Sequence, residues 1–83
     1  MSQLDTARRD ALPPRSFAYV DSRGGEHLPI HDAAHVRNAA ARFDQTRFES
    51  AEARKTVARR IVAAARHHGI ELSDDDAVVR AAA

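Results

Sequence analysis

The chain has no cysteine and no tryptophan, and its 83 residues include only three glycines, three prolines, three phenylalanines and one tyrosine. Without cysteine there is no disulfide framework and no thiolate metal centre, so a domain of this size must be held by its apolar core alone. The same absence favours a reducing, cytoplasmic setting. So few aromatics argue against a base-stacking platform of the kind that binds single strands. No window approaches the roughly 20 apolar residues of a membrane span, and the first ten residues carry no apolar run of signal-peptide type. The expectation is one small, soluble, cytoplasmic domain. A phosphate-cradling loop is also lacking, because Gly24-Gly25 has neither the further glycines nor the lysine such a loop needs. No Ser, His and Asp pattern carries a family signature. With the small size, these absences predict a protein that is not an enzyme and that uses no cofactor and no small-molecule substrate.

Charge is present in quantity and is unevenly placed. The net charge is +1, yet residues 1–50 balance seven basic against seven acidic groups, residues 51–70 carry five basic groups against Glu52 alone, and residues 71–83 carry Arg80 against four acids. Lys55 is the only lysine among the 13 basic residues. This arginine bias, with abundant alanine, reads as a GC-rich bacterial or phage genome rather than as chemistry. The segregation fits either a partner-binding face or a solvated helix beside a solvated tail.

Periodicity then divides the chain. Leu4, Ala7, Ala11 and Leu12 at near-helical spacing predict a short N-terminal helix stopped by Pro13-Pro14. Phe17 to Val20 and His27 to Ile30 read as extended segments around a glycine turn, with Phe17, Tyr19, Leu28 and Ile30 alternating to one side. Asp32 is a good N-cap for a helix over about 33–43, whose Val36, Ala39, Ala40 and Phe43 form one buried stripe. Phe48 precedes a second cap, Ser50, and is placed to pack over the start of the next helix. That helix runs from Ala51 to about His68 with Val57, Ile61, Ala64 and Ala65 inward, and Gly69 and Ile70 supply its left-handed termination. The expected fold is α+β: a short hairpin packed on two antiparallel helices, with a loose N-terminal helical arm (1–13), one globular unit (14–72) and a mobile acidic tail (73–83). Its core is expected to be Phe17, Tyr19, Leu28, Ile30, Val36, Ala40, Phe43, Phe48, Val57, Ile61, Ala64 and Ile70.

Three constellations bear on function. His31 and His35 have the H-x-x-x-H spacing of zinc proteases, with Asp32 where a general-base Glu would stand. If Asp32 caps the helix, however, His31 falls outside it and the shared helical face is lost. No metal site is therefore expected, and His35 should instead bond back toward the cap, with His31 partly buried beside the hairpin and Asn38 structural or solvent-facing. Arg54, Lys55, Arg59, Arg60 and Arg66, with His67 and His68, cover the sides of the long helix that Val57 and Ile61 leave, and can meet phosphates. Asp74, Asp75 and Asp76 can either fold back on that basic helix or serve only a local helix start.

The stretch from Leu12 to Ile70 resembles a small domain of unknown function found in bacterial and phage-related proteins, free-standing or attached to prohead-protease-like sequences. The resemblance rests on Leu12-Pro13, Ser16-Phe17-Ala18 and Leu28-Pro29-Ile30-His31-Asp32, followed by His35, Arg37, Asn38 and Ala39. It implies no activity, and it marks Ile30, His31, Asp32, His35, Arg37 and Asn38 as the shared centre, either a structural linchpin or a binding surface. Two functions stay open, ahead of a third reading as a metal-binding module. One is a nucleic-acid-associated accessory domain acting through Arg54, Lys55, Arg59, Arg60 and Arg66. The other is a protein-interaction adaptor in a phage or phage-derived assembly, using Tyr19, His31, Asp32, His35, Arg37 and Asn38.

Overall fold

A computed structural model describes residues 16–83 of the chain. Two strands, β1 (Phe17–Val20) and β2 (Glu26–Pro29), pair as an antiparallel hairpin. Helix α1 (Ala33–Arg42) follows and runs into a 3-10 turn over Phe43–Gln45, after which come α2 (Ala51–His67) and α3 (Ala77–Ala82). The fold is α+β, and the hairpin and both longer helices lie where the sequence places them. The helix expected within residues 1–13 lies outside the described residues.

The hairpin is organised by its turn. Asp21 Oδ1 accepts the N–H groups of Arg23 (3.0 Å) and Gly25 (2.7 Å), while Oδ2 meets His27 Nε2 at 2.9 Å. Gly24 supplies the one positive φ of the turn, +81°. At Gly25 a Cβ would sit 2.5 Å from Asp21 Oδ2, so a larger residue there would displace the carboxylate that orders the turn. The register pairs Phe17 with Pro29 and Tyr19 with His27. It leaves Leu28 opposite Ala18, so the expected single face of Phe17, Tyr19, Leu28 and Ile30 is not formed. Leu28 itself has φ +57°, a left-handed conformation uncommon outside glycine, and this interrupts the alternation of β2. Phe17, Ala18 and Tyr19 are all buried, so both faces of β1 are covered. β2 packs on α1 and β1 on α2.

The helix ends follow from capping chemistry. The extended backbone at Asp32 lets its side chain accept the His35 N–H, and Ser50 does the same for Ala53 N–H. At the other end of α2, Gly69 adopts φ +70°, Ile70 N–H bonds to Ala65 C=O at 2.8 Å and Gly69 N–H to Arg66 C=O at 3.3 Å. Those two bonds satisfy carbonyls that the helix would otherwise leave unpaired.

The core joins Tyr19, Leu28, Phe43, Val57, Ile61 and Val78 with Ala18, Ala39 and Ala58. Of the expected members, Ile30, Ala40, Phe48, Ala64 and Ile70 are only partly buried; Ala39 and Ala65 are buried on the inward helix faces where the sequence places them, and Ala18, Ala58 and Val78 are buried without having been expected. Residues 73–83, expected to be a mobile tail, include α3 packed along α2 with Val78 fully buried. The reason is compositional. Val78 is joined by Leu72, Ala77, Val79, Ala81 and Ala82, all partly buried against the core, so a segment that looks poor in apolar residues still presents a packed side.

Candidate functional site

Helix α2 carries the largest concentration of positive charge, and its geometry sorts the cations. With 3.6 residues per turn, Lys55, Arg59 and Arg66 share one ridge, Arg60 and His67 lie beside it, and Val57, Ala58, Ile61 and Ala65 face inward. Arg54 belongs to the opposite flank. Its guanidinium lies 4.8 Å from the Phe43 ring centroid and 3.5 Å from Asp44 Oδ1, so it serves packing rather than the basic ridge. Arg59 Nε reaches Ala82 C=O at 3.3 Å, placing a cation at the carbonyl end of α3. Arg60 makes a long contact, 3.4 Å, to Ala18 C=O on β1. Lys55 and Arg66 are exposed and enter no ion pair among the described residues.

Between the hairpin and α2 runs an open groove. Val20 and Ile30 form one wall, and Arg60, Ala63, Ala64, His67 and His68 the other. Most of its lining is aliphatic or imidazole, and Arg60 is its one permanent cation. Asp74, Asp75 and Asp76 make no ion pair with this helix among the described residues. Asp76 Oδ2 instead accepts Ser73 N–H at 2.9 Å and steadies the turn before α3.

The second candidate region begins where β2 passes into α1. Asp32 Oδ1 accepts the His35 N–H at 2.8 Å and lies 2.7 Å from His35 Nδ1, the back-bonding expected of a residue three beyond the cap. The carboxyl of Asp32 is thereby held below its ordinary value, first by the His35 amide, then by the His35 ring, with His31 adding to the effect. His31 lies outside α1, as its place before the cap requires. The extended backbone at Asp32 nevertheless returns its ring to within 4.3 Å of the His35 ring, centroid to centroid, with Nε2 3.4 Å from Asp32 Oδ2. Arg37 and Asn38 are exposed on the following turn.

Tyr19 is not part of that surface. It is buried, its ring stacks on His27 (5.4 Å) and meets Phe48 (5.0 Å), and Phe48 in turn meets Phe43 (5.2 Å). Its hydroxyl donates to Glu49 Oε1 at 3.3 Å and accepts the Glu49 N–H at 3.2 Å. Burial pushes the Tyr19 hydroxyl up from its ordinary value, with the Glu49 and Asp21 charges adding to the rise.

Sequence reasoning missed Glu49 and Asp21. Glu49 accepts both the N–H (2.7 Å) and the hydroxyl (2.6 Å) of Ser22, and these bonds hold its carboxyl below the ordinary value. Asp21 is lowered in the same sense, first by the His27 ring and then by the Gly25 amide. Nothing local signals Glu49, whose partners lie 27 and 30 residues away. Asp21 was open to detection, since an Asp before a Gly-Gly turn commonly bonds the turn amides.

Among the described residues no helix is long and apolar enough to cross a membrane. No curated protein and no solved structure matches the chain. The match that exists begins at residue 2, ten residues before the stretch that carried the resemblance, and extends past the end of α2 into the acidic turn. Because residues 2–75 fit the sequence model of a family of unknown function, DUF6582, the chain belongs to that family.

Proposed function

We propose that this domain is a non-catalytic accessory module that associates with nucleic acid through the phosphate backbone, using the exposed arc of α2. The observation that supports this reading is the ridge of Lys55, Arg59 and Arg66 with Arg60 and His67 beside it, a stretch where, among the described residues, only Arg54 of the five Lys and Arg residues is neutralised by an ion pair. The proposed set is therefore Lys55, Arg59, Arg60 and Arg66. Arg54, committed to Phe43 and Asp44, drops out. Two further features support backbone contact over base reading. The groove beside the ridge is lined by aliphatic groups, imidazoles and Arg60, with no Phe, Tyr or Trp, and the single tyrosine is buried.

Phosphate contacts release counterions, so affinity for duplex DNA should fall steeply with salt. For four contacts the expected loss is on the order of a hundredfold between 50 and 200 mM salt. Fluorescence anisotropy with labelled duplex DNA, single-stranded DNA and RNA measures this. Lys55→Glu with Arg66→Glu should abolish binding without disturbing the fold, because both side chains are exposed and neither is paired among the described residues. Arg54→Ala should leave binding intact. Absence of binding at low salt would refute the proposal and turn attention to protein partners of the exposed 31–38 surface.

A further inference from the structure

We propose that His31, Asp32 and His35 bind one divalent transition-metal ion of the zinc class at the junction of β2 and α1. The inference is independent of the phosphate-binding ridge and rests on three donor side chains brought together by the backbone. One ligand atom from each lies within 4.8 Å of the others. The separation of His31 Nε2 and Asp32 Oδ2, 3.4 Å, is that of two ligands on one tetrahedral ion, since bonds of about 2.0–2.2 Å place neighbouring ligands about 3.4 Å apart. The two imidazole rings are 4.3 Å apart and inclined by 33°, and His35 Nδ1, now 2.7 Å from Asp32 Oδ1, completes the set by exchanging that hydrogen bond for the ion.

The proximity is built by the cap rather than by helical spacing. Asp32 has φ −147° and ψ 171°, which folds His31 back over the first turn of α1. Oδ1 of Asp32 is held by the His35 N–H, leaving Oδ2 turned toward His31. The carboxylate is therefore already oriented before an ion arrives, and its charge offsets the positive end of the α1 dipole, which opposes a cation. Two nitrogen donors and one oxygen donor favour zinc, nickel or copper over magnesium and calcium, which take oxygen ligands. All three side chains are at least partly exposed, so the ion has an entry path and water completes its coordination.

Isothermal titration of the 83-residue chain with zinc sulfate tests the site, with magnesium chloride as the second ion. One zinc per chain and no magnesium is expected. His31→Ala and His35→Ala should each weaken zinc binding at least tenfold. Asp32→Asn retains helix capping and should also weaken it, which separates loss of a ligand from loss of the fold. The control His67→Ala with His68→Ala removes the other adjacent histidine pair, whose rings are 5.0 Å apart. That variant should bind as the parent does. Absence of zinc binding, binding that survives removal of both His31 and His35, or binding lost in the His67 and His68 control would overturn the assignment.

Discussion

Glu49 ties the hairpin turn to the start of α2 through four hydrogen bonds, to the N–H and hydroxyl of Ser22 and in both directions with the Tyr19 hydroxyl. Because the folded state lowers its pKa below the ordinary 4.5, Glu49 contributes stability that is present above that pH and is lost as pH falls through its folded value. Asp21 and Asp32 act in the same sense below 3.8. Thermal stability should therefore decline in acid from about pH 5 downward. Glu49→Gln should lower Tm at neutral pH and shrink the further loss on acidification, which thermal denaturation across a pH series measures. A parent-like Tm in the variant would mean that the bridge contributes nothing. At this scale the caps were legible and the bridge was not. Asp32 and Ser50 act on amides three residues away, a spacing the sequence displays, whereas Glu49 finds partners that only the fold brings near.

At the scale of elements, hairpin, α1 and α2 were legible because each has its own period and its own stop signal. β2 was harder to read, since the left-handed Leu28 breaks the alternation on which a face assignment depends. α3 was undervalued for a different reason. Hydropathy averages α3 with the acidic turn before it, whereas Val78, with Ala77, Val79, Ala81 and Ala82 beside it, packs into the same core as Ala58 of α2. Val78 becomes the test, being fully buried. Val78→Ala should cost about 2 kcal/mol, from two lost methyl groups and the cavity they leave. Chemical denaturation of the variant gives the figure. A cost near zero would show that α3 adds nothing to the core.

In the whole molecule Phe43 is the joint: it is fully buried, it meets Phe48, which in turn meets Tyr19 of the hairpin, and Arg54 of α2 lies over its ring. A single core of this size supplies only a few kcal/mol of net stability, and Phe→Ala costs about 3–5 kcal/mol, so Phe43→Ala should unfold most of the population at room temperature. Far-ultraviolet circular dichroism decides this, and a folded variant would mean that the hairpin and helices do not share one cooperative core. The same joint gives the protein an internal optical probe. With no tryptophan and a single tyrosine, intrinsic fluorescence above the weak phenylalanine emission comes from Tyr19, whose hydroxyl is bonded to a carboxylate at the seam between hairpin and α2. Emission from that one ring will change when the seam parts, so unfolding can be followed without a label at the contact on which the fold depends.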